Sequence, residues 1–130
     1  MKLVVLDRDG VINFDSDRFI KAPDEWRPIP GSLEAIALLN QNGYRVAIAT
    51  NQSGIGRGLL DMAAFNAIND KMTRHLAQVG GRTHAIFYCP HAADAQCGCR
   101  KPMPGMLREI GRRFNSDLKG IPAIGDALRD

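Results

Sequence analysis

The stretch LVVLDRDGVI, residues 3–12, joins a run of four apolar residues to two aspartates, Asp7 and Asp9. A short apolar run of this kind is typical of a strand buried in a parallel sheet. Side chains two positions apart in an extended chain point to the same side, so we expect the two carboxylates to converge just past the strand. Like charges that close repel each other unless a cation lies between them or one group keeps its proton. The pattern therefore predicts a metal or acid/base site where the first strand ends.

The chain beyond this strand alternates amphipathic helices with further apolar strands. The predicted order is strand 2–6, helix 30–43, strand 44–50, helix 61–79, strand 85–89, helix 105–114 and strand 121–126. Such alternation requires parallel strands joined by right-handed crossovers, which predicts an α/β fold with a doubly wound, Rossmann-like parallel sheet. Ligands of these sheets bind beyond the carboxyl ends of the strands. Those ends carry Asp7 and Asp9, Thr50 and Asn51, the region of Cys89, and Asp126.

Two of the predicted helices have recognisable ends. The first begins with the sequence PGS, residues 30–32, and stops at Gly43, a typical C-terminal cap. Its apolar positions are Leu33, Ile36 and Ala37, with Leu38 and Leu39 beside them. The second begins at Asp61, whose side chain is predicted to cap it. Its apolar stripe comprises Phe65, Ile68, Met72, Leu76 and Val79. Between these helices, the glycine-rich segment SGIGRG, residues 53–58, is predicted as a turn.

The composition is that of one soluble globular domain, residues 1–130. Hydrophobic residues make up 45% and charged residues 24% of the chain, which is ordinary for a folded protein and unlike a disordered one. No apolar run approaches the roughly 18–20 residues of a membrane span and no secretory leader precedes the first strand, so we expect a cytoplasmic protein. The net charge of +3 comes from basic residues spread along the chain. This gives little support to nucleic-acid binding and leaves small anionic molecules as the expected partners.

Four short motifs follow one another at the predicted strand ends and loops: DRDG at residues 7–10, TNQS at 50–53, RKP at 100–102 and GDALRD at 125–130. Their order resembles that of the haloacid-dehalogenase-like phosphohydrolases. A carboxylate can attack phosphorus to form an aspartyl-phosphate, which divides one difficult hydrolysis into two easier steps. We predict Asp7 as this nucleophile. Asp9 is predicted as the acid that protonates the leaving alkoxide and then, as a base, activates water.

The negative charge of phosphoryl transfer has to be balanced. Lys101 is predicted to supply a positive charge, and Thr50 and the backbone N–H groups after it to donate hydrogen bonds to the phosphoryl oxygens. Mg²⁺ prefers a few carboxylates together with phosphate and water oxygens. The resemblance implies Asp7, Asp126 and the backbone carbonyl of Asp9 as its protein ligands.

Each of these residues also has an ordinary structural interpretation. A lone D-x-D motif fits a solvated turn, Thr50 fits a cap on a turn, and Lys101 fits an exposed loop. Asp126 fits a helix N-cap. Asp130 fits either a residue that contacts the metal ligands without binding the metal itself, or an ordinary terminal charge. The order of all four motifs favours the catalytic interpretation of the set.

A second cluster lies in the segment CPHAADAQCGC, residues 89–99, which contains all three cysteines of the chain. Three thiolates and one imidazole form a closed tetrahedral set with no open position, which predicts a structural Zn²⁺ site. Its predicted ligands are Cys89, His91, Cys97 and Cys99. The metal would fix the loop that continues into Arg100 and Lys101. The alternative is a set of buried free thiols beside an unrelated histidine.

Longer segments narrow the resemblance. The segments DRDGVIN, KAPDEWRPIPGSLEAIALLNQNGY, TNQSGIGRG, YCPH and CGCRKPMPGML together resemble the D-glycero-D-manno-heptose 1,7-bisphosphate 7-phosphatases over nearly the whole chain. The resemblance implies removal of the C7 phosphate of a heptose bisphosphate during nucleotide-activated heptose synthesis, with Mg²⁺ for the chemistry and Zn²⁺ for the structure. It implies a substrate site formed by Asp15, Ser16, Asp17, Arg18, Thr50, Asn51, Gln52 and Ser53, together with Arg100 and Lys101.

Three points stay open at this level. The histidinol-phosphate phosphatases have nearly the same zinc loop and also act on a primary phosphate, although Arg100 favours the bisphosphate. A non-catalytic, zinc-stabilised module that binds phosphate ligands is an alternative of another class, and Asp9 argues against it because binding alone does not need an acid/base. Neither the preferred heptose anomer nor the pathway that the product enters, lipopolysaccharide synthesis or another, is determined.

The family also sets expectations for the outline of the fold. The short connection between Gly10 and Gly31 leaves no room for a cap domain. Family members continue past the fourth motif with another helix and strand, which we expect this chain of 130 residues to lack. The last strand would then form an uncovered sheet edge, and such edges tend to find partners. We expect a monomer that is able to associate through this edge.

Overall fold

The computed structural model contains a four-stranded parallel sheet in the order β3-β2-β1-β4, and it describes residues 2–16, 18–92 and 95–126. The strands are β1 (Leu3–Leu6), β2 (Arg45–Asn51), β3 (Ala85–Cys89) and β4 (Ala123–Ile124). The helices are α1 (Ser32–Gln41), α2 (Ser53–Gly56), α3 (Met62–Gln78) and α4 (Gly105–Phe114), and a turn of 3-10 helix spans Pro23–Glu25. The predicted α/β fold with a parallel sheet is confirmed.

The first strand is the centre of the sheet because it is paired on both sides. β2 pairs with β1 along its full length, and β4 pairs with it at Val5 and Leu6. All residues of β1 are buried, as its uninterrupted apolar run predicts. Val4 and Leu6 pack with the buried residues of α1 and α3, whereas Leu3 and Val5 pack with those of α4. The sheet therefore has a hydrophobic core on each face.

The predicted ends of α1 and α3 are confirmed. Gly43 follows the last turn of α1 at a φ of +85°, a conformation that glycine adopts without strain. Asp61 caps α3, where its Oδ1 accepts a hydrogen bond from Ala64 N at 2.8 Å. The buried stripe of α3 comprises Phe65, Ile68, Met72 and Leu76. Leu38 differs from the predicted apolar face of α1: it is 59% exposed, since it lies about half a turn away from Ile36.

The segment predicted as a glycine-rich turn contains the short helix α2. Ile55 N donates to Gln52 O at 3.1 Å and Arg57 N donates to Ser53 O at 3.0 Å. Gly54 is buried in this turn, where a Cβ atom would lie 2.8 Å from the side chain of Leu60. Gly54 therefore packs closely against Leu60, and the glycines of this segment do not imply an open loop.

β4 is shorter than the strand predicted at residues 121–126. Pro122 has no N–H for the ladder, and glycine at position 125 is a poor strand former. The flanking backbone still holds the strand to β1, because Val5 N donates to Pro122 O and Asp7 N donates to Ile124 O, both at 2.9 Å. The two residues of β4 are exposed. This short strand brings Asp126 to the carboxyl edge of the sheet.

The connection from β1 to α1 lies against the core. In its described part it contains turns, isolated bridges and the 3-10 turn, in agreement with the expected absence of a cap domain there. Trp26 in this connection is fully buried, and Lys71 of α3 donates to the carbonyl oxygens of Pro23 and Trp26 at 2.7 and 2.9 Å. None of the helices in the described ranges is long and apolar enough to cross a bilayer.

Candidate active site

The carboxyl ends of β1, β2 and β4 meet around a polar cavity of about 140 Å³. Its lining residues are Asp7, Asp9, Asp15, Ser16, Phe19, Thr50, Asn51, Gln52, Ser53, Arg100 and Asp126. All of these except Phe19 are predicted site residues. The structure therefore brings the first, second and fourth motifs to one place, together with the arginine that begins the third.

Asp7 lies between a backbone donor and a lysine. Its Oδ1 accepts a hydrogen bond from Arg8 N at 2.9 Å and lies 3.5 Å from Nζ of Lys101. The side chains of Asp7 and Lys101 are only 13% and 14% exposed, so solvent screens their attraction less than at the surface. Lys101 is itself fixed, because its N–H donates to Oδ1 of Asn51 at 3.0 Å. The predicted nucleophile thus lies beside the predicted cation.

Gly10 makes room for Asp126. A Cβ atom at position 10 would lie 1.9 Å from Oδ2 of Asp126, so a side chain there would displace the carboxylate. Gly10 also has a φ of +87°, which other residues adopt only with strain. The glycine of the DRDG motif therefore allows the carboxylate that follows β4 to reach the aspartates that follow β1.

Asp9 is surrounded by hydrogen-bond donors. Its Oδ1 accepts from Arg8 Nε at 2.8 Å and from Asn13 Nδ2 at 3.1 Å. Its Oδ2 accepts from Gln52 Nε2 at 3.3 Å and from Arg8 Nη2 at 3.4 Å. Arg8 and Asn13 are not among the predicted site residues, because strand alternation alone places Arg8 on the side opposite to the two aspartates.

Thr50 and Gln52 are buried and joined to each other. Gln52 Nε2 donates to Thr50 Oγ1 at 2.8 Å in addition to its bond with Asp9. The backbone N–H of Gln52 donates to the carbonyl oxygen of Cys89 at 2.8 Å. This N–H is therefore not available to a phosphoryl group. The prediction that the backbone N–H groups after Thr50 donate to phosphoryl oxygens does not hold for Gln52. Gln52 contributes to the cavity mainly by holding its neighbours.

Two buried donors of the cavity lack an acceptor. Asn51 Nδ2 and Arg100 Nη1 have no hydrogen-bond partner among the described residues, and both residues line the cavity. A buried donor without an acceptor costs about 1–3 kcal/mol. An anionic ligand with several oxygens would remove this cost, so the two donors fit a phosphorylated ligand.

The loop that begins at Asp15 forms one side of the cavity. Asp15 and Ser16 line it, whereas Arg18 is exposed and is not among the lining residues. The structure adds Phe19, which has a φ of +64° and which no motif indicated. Two residues with predicted roles lie outside the described ranges, Asp17 and Asp130.

Near this cavity, three thiols and an imidazole meet in the loop after β3. The potential ligand atoms of Cys89, His91, Cys97 and Cys99 all lie within 4.8 Å of one another. Nδ1 of His91 is 3.2 Å from Sγ of Cys99 and 3.4 Å from Sγ of Cys89. The cysteines are free thiols. The number and type of donors fit a closed tetrahedral zinc site, and the predicted cluster is assembled by the fold.

The thiols of this cluster differ in acidity. Burial raises the pKa of Cys89 to about 12, with a further contribution from its hydrogen bond to Cys99. A hydrogen bond from the backbone N–H of Arg100 lowers the pKa of Cys97 to about 6. Metal ions bind thiolates, so a cation that binds here has to displace the proton of Cys89.

Backbone hydrogen bonds join the cysteine loop to the elements around the cavity. In addition to the bond from Gln52 to Cys89, Gly56 N at the end of α2 donates to Pro90 O at 2.7 Å. At the start of α4, Gly105 N donates to Gly98 O at 2.8 Å. A Cβ atom at Gly56 would lie 2.5 Å from Pro90 O. The loop is therefore packed against the helix that follows TNQS and the helix that follows RKP.

In the described residues, a parallel sheet carries three carboxylates, a buried threonine and a lysine at its carboxyl edge, and this arrangement defines a haloacid-dehalogenase-like phosphatase. A model of the polynucleotide kinase 3 phosphatase family matches residues 2–128. The chain is 62% identical over 130 residues to the D-glycero-beta-D-manno-heptose-1,7-bisphosphate 7-phosphatase of Bordetella bronchiseptica, an alignment that covers 100% of this chain and 73% of that relative. The chain belongs to the family of the heptose-1,7-bisphosphate 7-phosphatases.

Two further comparisons agree with this assignment. The enzyme of the same name from Pseudomonas aeruginosa is 55% identical over 128 residues, which cover 98% of this chain and 72% of the relative. The crystal structure of the D,D-heptose 1,7-bisphosphate phosphatase of B. bronchiseptica, complexed with magnesium and phosphate, superimposes with a TM-score of 0.97 at 62% identity. That superposition covers 99% of this chain and 72% of the other.

Proposed function

We propose that this protein hydrolyses the C7 phosphate ester of D-glycero-D-manno-heptose 1,7-bisphosphate. The observation that carries the proposal is the meeting of Asp7, Asp9 and Asp126 in one cavity, with Lys101 beside Asp7. The names of the relatives at 62% and 55% identity support the heptose substrate over histidinol phosphate, and they favour its β anomer.

In the first half-reaction, an oxygen of Asp7 attacks the phosphorus of the ester. The bond between phosphorus and the sugar oxygen breaks, and protonated Asp9 gives its proton to that oxygen, so the sugar leaves as an alcohol. Lys101 offsets the growing negative charge of the phosphoryl group. Thr50 Oγ1 accepts from Gln52, and its hydroxyl donates to Asn51 O over a long 3.5 Å, a bond that it can exchange for one to a phosphoryl oxygen.

In the second half-reaction, water attacks the phosphorus of the aspartyl-phosphate. Asp9, now ionised, takes a proton from this water, the bond between phosphorus and Asp7 breaks, and inorganic phosphate leaves. Both aspartates return to their starting states. Four N–H groups of Arg8, Asn13 and Gln52 donate hydrogen bonds to the two oxygens of Asp9.

Two metals belong to this proposal. Asp7, Asp126 and the backbone carbonyl of Asp9 would hold Mg²⁺, which when bound supplies positive charge to the phosphoryl group. The magnesium and phosphate of the related crystal structure support this choice. Zn²⁺ is proposed for the cluster of three cysteines and His91, where it would be structural because the donors leave no open position.

The rest of the substrate is proposed to lie on the side of the cavity formed by Arg100, Asn51 and the loop of Asp15 and Ser16. Nη1 of Arg100, which has no partner among the residues that the structure describes, supports recognition of the sugar or of the distal phosphate, since a guanidinium matches phosphate geometry. A cavity of about 140 Å³ supports a small molecule and not a nucleic acid as the partner. We propose a single-domain, cytoplasmic enzyme that acts as a monomer.

The test is a panel of phosphate esters assayed for phosphate release with Mg²⁺. The panel comprises heptose 1,7-bisphosphate, histidinol phosphate and p-nitrophenyl phosphate, and the variants are Asp7→Asn and Asp9→Asn. We expect the highest kcat/KM for the heptose bisphosphate, and with this substrate a loss of at least about 100-fold for each variant, the lower limit for a catalytic acid/base.

The matched control is Asp70→Asn, which removes an exposed carboxylate from α3 and is expected to retain full activity. Turnover that survives Asp7→Asn contradicts the covalent mechanism. Preference for histidinol phosphate contradicts the proposed substrate.

A further inference from the structure

Arg8 is a fully buried cation in the middle of the DRDG motif. Its side chain has 0% exposure and extends toward α3, where the guanidinium lies 5.6 Å from the centroid of the Phe65 ring. A guanidinium cannot give up its proton in a protein. Burial of a permanent charge is costly unless hydrogen-bonded counter-groups surround it. The position of Arg8 therefore needs a reason beyond packing.

The guanidinium of Arg8 has partners on two sides. Nε and Nη2 donate to the two oxygens of Asp9 at 2.8 and 3.4 Å. Nη1 donates to Oδ1 of Asn69, in the third turn of the same helix α3, at 3.2 Å. A fork that grips both carboxylate oxygens fixes the plane of the carboxylate as well as its position. Asn69 in turn fixes the orientation of the guanidinium.

Without this fork, Asp9 would be held less firmly. Asn13 and Gln52 donate one bond each, to different oxygens of Asp9, and both are neutral. Neutral donors form weaker bonds than charged ones. A general acid has to lie within hydrogen-bond reach of the leaving oxygen, and small displacements reduce its efficiency strongly.

From these contacts we propose that Arg8 and Asn69 are positioning residues for the acid/base Asp9. Neither touches the substrate: Asn69 orients Arg8, and Arg8 holds the carboxylate of Asp9 at the angle from which it protonates the leaving oxygen. This inference rests on the proposed function, because it assumes that Asp9 is the acid of a phosphatase.

The test uses the basicity of the leaving group. An alkyl phosphate such as the heptose ester leaves as an alkoxide and needs the acid, whereas p-nitrophenyl phosphate releases a weakly basic phenolate and does not. The parameter is kcat/KM, which reports the transfer of the phosphoryl group to Asp7 and not the later attack of water. A positioning defect therefore changes the ratio of the two kcat/KM values, and a general loss of active protein leaves the ratio unchanged.

The main variant is Asn69→Ala, because Asn69 is half-buried on a helix surface and its removal spares the charge of Arg8. We expect its kcat/KM to fall roughly tenfold for the heptose ester and less than about twofold for the aryl ester, as partial loss of general acid catalysis requires. Arg8→Lys keeps the charge but lacks the fork, and the same selective loss is expected. Asn66→Ala is the matched control, an exposed asparagine of the same helix, and is expected to match the unmodified protein with both esters.

Equal losses with the two esters in Asn69→Ala, or no loss with either, contradict the positioning role. Asn69→Ala decides the question if Arg8→Lys does not fold. Absence of turnover of both esters by the unmodified protein is a different result, because it removes the proposed function and this inference together. Normal turnover by the unmodified protein combined with equal losses in the variant removes the inference alone.

Discussion

Gly10 is the residue at which the carboxylate of Asp126 meets the first motif. Its α-carbon and the carboxylate are so close that a Cβ atom would lie 1.9 Å from Oδ2. The sequence indicates a turn after the two aspartates, but a glycine at a turn has many uses. Only the three-dimensional structure shows that this one makes room for the carboxylate that follows β4.

At this residue we expect Gly10→Ala to abolish most of the activity. The new methyl group pushes Asp126 away from Asp7, and the positive φ adds strain of about 1 kcal/mol. We expect kcat/KM for the heptose ester to fall about 100-fold or more, as for the loss of a group that stabilises transition-state charge. The measurement is the steady-state rate together with the free energy of unfolding in urea.

Gly31→Ala is the control for Gly10→Ala, because Gly31 has the same φ of +87° and a Cβ atom there would have no heavy atom of the described residues within 4 Å. It is expected to lose a similar amount of stability and to keep its activity. Equal activity losses in the two variants would mean that backbone strain, and not the contact with Asp126, is responsible.

Residues of the site differ in how far the sequence predicts them. The aspartates, Thr50 and Lys101 belong to short motifs with a fixed order, and the structure brings them together as expected. Arg8 lies within the DRDG motif, but no motif predicts its contact with Asn69, since that contact joins residues 61 positions apart and depends on how α3 packs on β1. Contacts of this kind are set by tertiary packing and have no local signal.

At the scale of elements, β1, β3 and the three longer helices agree with prediction to within a few residues, because each has a clear hydrophobic period. β4 and α2 differ. The strand is limited by Pro122, and the helix forms in a segment whose glycines indicate a turn. In both cases a few backbone hydrogen bonds to neighbouring elements decide the outcome, and periodicity does not detect them.

The junction of β2 and β3 contains a histidine whose protonation opposes folding. Val46 N donates to Nδ1 of His84 at 3.0 Å. Burial lowers the pKa of His84, and the charges of Arg82 and Arg45 lower it further. The pKa of His84 in the folded state lies below its unfolded value of 6.5. As the pH falls below that value, the unfolded state therefore binds more protons than the folded state. The stability contributed by neutral His84 is therefore present above pH 6.5 and is lost as the pH falls below it.

We expect His84→Asn to reduce this pH dependence, because the asparagine Oδ1 can accept the bond from Val46 and does not titrate. The measurement is the free energy of unfolding in urea from about pH 8 to about pH 5 for both proteins, with the difference between them plotted against pH. The unmodified protein is expected to lose more stability over this range than the variant. Parallel curves would show that His84 does not titrate differently in the two states.

At the scale of the whole molecule, the two sites differ in their donors, and we propose that they bind different metals, Mg²⁺ at the carboxylates and Zn²⁺ at the cysteines. The carboxylate site lies at an open cavity, and hard cations at such sites exchange readily. The cysteine cluster connects β3, α2 and α4 through backbone hydrogen bonds, so its metal is expected to stabilise the fold.

The family and its parallel sheet are predictable from the sequence because motifs and periods extend along the whole chain.

Stepwise removal of metal is therefore expected to separate activity from stability. A mild chelator should remove Mg²⁺ first, which abolishes phosphate release with little change in the melting temperature, and added Mg²⁺ should restore it. A stronger chelator should release about one equivalent of Zn²⁺ per chain, the number for a closed four-ligand site, and lower the melting temperature. Metal analysis and thermal melting of the same samples provide the test. A protein that loses its zinc and melts unchanged would contradict the structural role.

The close approach of Gly10 and Asp126 also has a consequence while the protein is being synthesised. Gly10 leaves the ribosome well before Asp126. The nucleophile and its neighbouring acid emerge early, but the carboxylate that completes the cation site arrives only when β4 docks beside β1. On the proposed mechanism, a nascent polypeptide therefore lacks a complete cation site until its sheet has closed.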